Sequence, residues 1–183
     1  MAQQILQPAS LLTEYWPLFQ KAARLGPVID LACGRGHNGI FLAGKGIPVI
    51  LIDRSEKRLE QARQLARRTG GEIDIRRIDL EQTGVNPLKG LAPGGILVFR
   101  YLHRPLIPAI RKCIQPEGIL MYETFTRDQQ RFGRPGNPDH LLEPQELNRW
   151  FRDWQILHYF EGFKRDPSRS VAQVVCCKTE PSV

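Results

Sequence analysis

The sequence predicts an α/β fold: a mostly parallel sheet with helices on both faces, closed by an antiparallel pair of strands. Three observations predict it. Short apolar runs alternate with helix-like stretches from Val28 to Phe151. One of those runs ends in an acid and enters a helix through a glycine-rich turn, Val28 to Leu42 reading VIDLACGRGHNGIFL. The last two apolar runs, Trp154–Phe160 and Val171–Cys177, have only a polar loop between them, Glu161 to Ser170. A connection without a helix argues for antiparallel neighbours.

Each element has its local reason. Ser10 to Arg24 reads as a leading amphipathic helix, with Leu11, Leu12, Tyr15, Trp16 and Phe19 on one side and Pro17 interrupting its middle. Val28–Ala32 is the first strand, and its turn opens a short helix, Asn38–Gly44, with Asn38 placed to cap it. Val49–Asp53 is the second strand. Ser55 caps a helix running to Arg68, which Thr69, Gly70 and Gly71 end. Ile73–Ile78 is the third strand, ending at Asp79 and Leu80. Glu81 to Pro93 has room only for a turn or a stub. Gly95–Leu102 is the fourth strand, and Pro105 opens a helix to Cys113. Gly118–Phe125 is the fifth strand. Arg127 to Glu143 follows it, rich in Gly, Pro and Asn. That loop leaves the carboxyl end of a parallel strand, the edge where ligands bind, and its length marks a lid, with Phe132 the side chain expected to close on the ligand. Pro144 opens a helix to Phe151, and Trp150, Phe151 and Trp154 read as core.

Composition sets the class. At 183 residues the chain is expected to be one domain spanning 1–183, as a monomer or weak homodimer. No run approaches eighteen apolar residues, so no membrane span is expected, and MAQQILQPAS lacks the pattern of a signal peptide. Four cysteines have no metal-ligand spacing, so no metal is expected and a reduced, cytoplasmic setting fits. The net charge of +7 favours an anionic or RNA partner. Much of it lies in the helix from Lys57 to Arg68, where Arg58, Arg63 and Arg67 read first as a solvated face.

The glycine turn carries the chemistry. Gly34 and Gly36 let the backbone turn tightly beside a ligand, and Asp53 ends the next strand, where a carboxylate holds a ribose diol. The G-x-G-x-x-G spacing is met by Gly34, Gly36 and Gly39. Asp30, however, stands just before the turn, where it would repel a pyrophosphate and welcome a cation. That argues against NAD and for S-adenosylmethionine, which carries an ammonium and a sulfonium and no phosphate. No G-K-[ST] follows the glycines, which excludes a Walker loop.

In VIDLACGRGHNGIFLAGKG followed by VILIDRS, the chain resembles the class I S-adenosylmethionine-dependent methyltransferases, and among them the small bacterial tellurite-resistance-type enzymes. The resemblance is close from Val28 to Asp53 and holds at fold level along the whole chain. It implies a Rossmann-like class I methyltransferase fold, a seven-stranded mostly parallel sheet whose last strand is inserted antiparallel. It implies a cofactor site of Asp30, Cys33, Gly34, Gly36, Asn38, Asp53, Arg54, Asp79 and Leu80. In it Asp30 organises the turn and faces the donor's amino group through that turn or through water, Arg54 lies against the adenine, Asp79 accepts from the adenine amine and Leu80 offers its N–H.

Arg100, His103 and Glu123 are the candidate catalytic residues, because they stand where donor and acceptor meet. Arg100 interrupts an apolar run, and it either pairs with Glu123 or points into the site. His103 is a candidate for acceptor contact or proton transfer, Glu123 is a candidate base, and His140 is a weaker one. Methyl transfer is a direct displacement, so alignment matters more than a nucleophile. The expected reaction is methylation of a small-molecule acceptor, polar or anionic because Arg100, His103 and Arg104 cluster at its edge. The alternatives are RNA or nucleobase methylation, and a non-catalytic cofactor-binding protein of the same fold.

Overall fold

The computed structural model describes residues 7–180. Its centre is a seven-stranded sheet in the order β3-β2-β1-β4-β5-β7-β6. In chain order the strands are β1 (Val28–Leu31), β2 (Val49–Asp53), β3 (Ile73–Arg77), β4 (Gly95–Phe99), β5 (Ile119–Phe125), β6 (Gln155–Arg165) and β7 (Ser168–Cys177). The first five run parallel, and β7 pairs antiparallel with both β5 and β6. This is the Rossmann-like class I methyltransferase architecture. Its strand order reverses between β1 and β4, and a crevice opens there at the carboxyl ends of the strands.

Alternation along the strands divides the core between two faces. Ile29, Leu31, Ile50, Ile52, Ile96, Val98, Leu120 and Tyr122 face α5 (Ile107–Cys113) and α6 (Glu146–Phe151). Val28, Val49, Leu51, Leu97 and Met121 face α1 (Ser10–Tyr15), α2 (Leu18–Ala22), α3 (His37–Ala43) and α4 (Glu56–Ala66). Phe151 and Trp154 are buried, as their apolar setting requires.

Several boundaries differ from expectation. The leading helix is two, α1 and α2, divided at Trp16 and Pro17. β4 stops at Phe99, three residues early, because Arg100 takes a φ of 56° and turns the chain out of the sheet. The polar loop from Glu161 to Ser170 is mostly strand: β6 and β7 continue through it and turn only at Asp166–Pro167. The long loop after β5 contains two 3-10 turns, Arg127–Arg131 and Pro138–His140. The crossover from β3 to β4 holds turns and no helix.

Candidate active site

Two buried carboxylates build the turn at the end of β1. Ala32, Gly34 and Gly36 have φ values of 52°, 59° and 77°, so the backbone doubles back before α3 begins. Asp53 accepts the Gly34 N–H on Oδ2 and the Ser55 N–H on Oδ1, each at 2.8 Å. It thereby clasps the turns after β1 and β2 together. Each oxygen keeps lone-pair capacity for a ligand hydroxyl. Asp30 lies on the α3 side of the sheet and accepts the Gly39 N–H at 2.9 Å. Burial pushes its carboxyl up to about 7, against the pull of that hydrogen bond and with added repulsion from Asp53.

The two glycines of the turn serve different ends. A Cβ on Gly34 would meet nothing within 4 Å, so the turn leaves open space on its ligand side. A Cβ on Gly36 would stand 2.8 Å from the Leu51 side chain and 3.2 Å from Ala62. Gly36 is therefore required by packing of α3 against the sheet as well as by its φ. Cys33 directly precedes Gly34, and burial pushes its thiol well above the usual range. Asn38 does not cap α3. The helix starts at His37 with Gly36 as its N-cap residue, and the Asn38 Oδ1 accepts the Ala9 N–H at 2.9 Å. It fastens the segment before α1 to the glycine turn.

A cleft of about 370 Å³ opens from this turn across the ends of β2 and β3. Asp53, Arg54, Asp79, Leu80 and Glu81 line one side, and Arg100, Tyr101, Phe125, Pro135 and His140 the other. Arg54 bridges to Glu81 at 3.2 Å along the rim, and Asp79 accepts the Glu81 N–H at 3.0 Å. The Tyr101 hydroxyl is buried and has no partner among the described residues. Tyr122 donates to the Tyr101 carbonyl at 3.1 Å and braces it from below. Pro135 and His140 bring the long loop over the cleft. Phe132 does not reach it, because its ring stacks on Phe163 of β6, centroids 4.9 Å apart.

A second cavity continues from the first, sharing Ala32, Arg58 and Arg100. Its walls are the glycine turn, residues 7–10, Phe99 and Glu123 at the ends of β4 and β5, and the β6–β7 turn. Arg100 is exposed at the junction of the two spaces. Its backbone N–H donates to the Glu123 carbonyl at 2.8 Å, but its side chain is not paired with the Glu123 carboxylate. Gln173 donates to that carboxylate instead. His103 is not brought into either space, and lies in a groove beside Asn86, Pro105 and Lys112. Arg104 turns from the acceptor edge to Glu146, donating from Nε and Nη2 at 2.8 and 2.9 Å.

Three residues of these spaces were not singled out by sequence. Tyr101 carried a signal, an aromatic just beyond a parallel strand. His37 follows the second glycine directly. Arg169 had none, since its position depends on how far the β6–β7 hairpin extends. The open cradle at Gly34, the two acids and the unpartnered Tyr101 hydroxyl suit a ligand with an adenosine and a cationic tail. The residues lining the cleft are therefore compatible in their chemistry with S-adenosylmethionine.

A family model described as a methyltransferase domain matches residues 24–160. The probable S-adenosyl-L-methionine-dependent methyltransferase TehB of Haemophilus influenzae is 23% identical over 140 residues, which are 74% of this chain and 48% of TehB. The chain thus spans about half the length of the curated relatives it matches. The crystal structure of TehB from Haemophilus influenzae superposes with a TM-score of 0.68 at 18% identity, covering 92% of this chain and 66% of that one. The N-methyltransferase NodS of Bradyrhizobium japonicum gives 0.69 at 15% identity, covering 92% and 94%. At these identities the superpositions show a shared fold.

Proposed function

This chain belongs to the methyltransferase-domain family, and from that premise we propose that it transfers a methyl group from S-adenosylmethionine to a small polar or anionic acceptor by direct displacement. One observation carries the reading. Asp53 and Asp30 pin a glycine turn whose ligand side is open, at the point where the strand order reverses.

When bound, the donor supplies a methyl group on a sulfonium that is already activated to leave. The chain's residues have to place and enclose it. Asp53 takes the ribose hydroxyls on the lone pairs that its two backbone bonds leave free. Asp30 lines neither space, and it acts on the cationic tail through the glycine turn, which it holds by the Gly39 N–H. Arg100, at the junction of the two spaces, borders both donor and acceptor. Glu123, oriented by Gln173, lines the second space and is the carboxylate assigned to take a proton from an acidic acceptor. Phe99, Pro135 and the loop carrying His140 exclude water from the transfer.

The test is titration calorimetry with S-adenosylmethionine and S-adenosylhomocysteine. Binding is expected, and Asp53→Ala is expected to weaken it by about 1–3 kcal/mol, the scale for losing a charged hydrogen-bond partner. No binding at millimolar donor, or a preference for NAD, would overturn the reading. The acceptor is then sought by following demethylated donor against pooled metabolites, chalcogen oxyanions and total RNA. Chalcogen oxyanions enter through the sequence resemblance. RNA enters through the net charge of +7.

A further inference from the structure

Among the described residues, three buried side-chain nitrogen or oxygen atoms have no hydrogen-bond partner: His37 Nε2, Tyr101 OH and Arg169 Nε. Two of the three line the same space, the cavity between the glycine turn and the β6–β7 turn. Leaving a buried polar atom without a partner is unfavourable, so two in one cavity are available to the polar groups of a ligand.

The Arg169 side chain is held by its own hairpin. Nη1 donates to the carbonyls of Asp166 and Pro167, each at 3.2 Å. Those bonds fix the guanidinium plane and leave the Nε–Nη2 edge without a partner among the described residues. That edge is the fork that meets a carboxylate through two parallel bonds. His37 opens α3 and lines the same cavity. Burial, and next the charge of Arg35, lower its pKa, and with its proton on Nε2 the ring is a second donor. The surrounding charge agrees in sign. Arg35, Arg58, Arg100 and Arg169 line the cavity against Glu123 and Asp166, and the Glu123 carboxylate is already engaged by Gln173.

We propose that Arg169 Nε and His37 Nε2 form a carboxylate subsite, closed on one side by the glycine turn and on the other by the β6–β7 hairpin. The subsite rests on the proposed donor reading for its place in the reaction. A carboxylate reaches it from one of two sources: the amino-acid end of the donor, or an acidic acceptor. In either case Arg169 determines specificity from a hairpin that the sheet alone does not require.

The test reads Arg169 directly. Its Nε–Hε resonance is identified in the ¹⁵N spectrum of the full chain by its absence in Arg169→Lys. S-adenosylhomocysteine, 5′-methylthioadenosine and malonate are then added separately, with malonate also added to protein saturated with S-adenosylhomocysteine. A shift with S-adenosylhomocysteine and none with 5′-methylthioadenosine, which lacks the amino-acid end, assigns the subsite to the donor. Arg169→Lys then loses about tenfold or more in affinity for the first ligand and none for the second. A shift with malonate on the saturated protein, with neither nucleoside moving the resonance, assigns it to the acceptor. If no carboxylate moves the resonance, the subsite is overturned. If neither nucleoside binds wild-type protein by calorimetry, the donor reading fails separately, and malonate on the free protein still decides the subsite. A melting temperature of Arg169→Lys within a few degrees of wild type shows that the variant folds.

Discussion

Asp30 is 2% exposed and receives one backbone N–H, too little to offset its burial. Its carboxyl is pushed up to about 7 in the folded chain, far above the ordinary aspartate value near ~3.9. The sign follows from linkage. The folded state binds this proton more tightly than the unfolded state, so the site's contribution to stability is fully present below about pH 4 and is lost as pH rises through about 7. Asp30→Asn keeps an oxygen for Gly39 and removes the charge. In the ligand-free protein it is expected to melt higher than wild type at about pH 8, with the gap closing toward about pH 4. A cationic group arriving beside Asp30 favours the ionised form. The affinity of wild type for S-adenosylhomocysteine is therefore expected to rise as pH climbs through about 7, with proton release, and to stay flat in Asp30→Asn. A flat wild-type profile would remove the ammonium from Asp30.

At the scale of elements, the segment after β5 is fastened beside the cleft by one side chain. Arg104 donates to both Glu146 oxygens, to the Asp139 carbonyl from Nη1 and to the Leu141 carbonyl from Nη2, the last two at 2.9 Å. Glu146 also accepts the Glu143 N–H at 2.9 Å. His140, between the two anchored carbonyls, lines the donor cleft. Arg104→Met is expected to cost about 1–2 kcal/mol, the lower range because the guanidinium remains partly in solvent. It should also speed amide exchange over residues 138–142 and raise the dissociation rate of S-adenosylhomocysteine. Faster exchange with an unchanged dissociation rate would make the segment structural and leave the donor uncovered. Much of this arrangement was legible in the sequence: the alternating strands, the glycine turn, the long segment's place after β5. Its fastening was not. Arg104 reads in sequence as a cation at the acceptor edge, and only the return of residues 139–146 beside it shows that its bonds are taken. The same holds for the ends of elements. An arginine at φ 56° ends β4 at a position where the apolar run gives no warning. The polar residues from Lys164 to Ser168 read as loop because they extend the hairpin beyond the buried sheet, where strand pairing goes on without an apolar face. Asn38 has the residue type of a cap, but the preceding glycine takes that position, and the amide spans 29 residues to Ala9 instead.

At the scale of the whole molecule, charge and shape restrict the acceptor from different directions. The net charge is +7, yet many cations are spent on local partners: Arg63 on Glu56, Arg76 on Asp74, Arg104 on Glu146, Arg111 on Asp153. Arg35, Arg58 and Arg100 are exposed and line the second cavity, so part of the surplus faces the site. That field concentrates anions at the opening whatever their size. Size is set by the walls. The donor cleft of about 370 Å³ is of small-ligand dimension, and the lid and the hairpin both approach the space where donor and acceptor meet. A polyanion bridging the surface and a small anion entering the cavity differ sharply in their response to salt. A nucleic acid held by six or more phosphate contacts loses roughly 10³–10⁵ in affinity between about 50 and 200 mM salt, whereas one or two charge contacts lose about tenfold or less. Turnover on the active fraction of the pooled screen, read as kcat/KM at those two salt concentrations, is expected to fall by no more than about tenfold. A steeper loss, with activity confined to the RNA fraction, would make the basic opening a landing surface for a polynucleotide, and the lid would then have to stand open during catalysis.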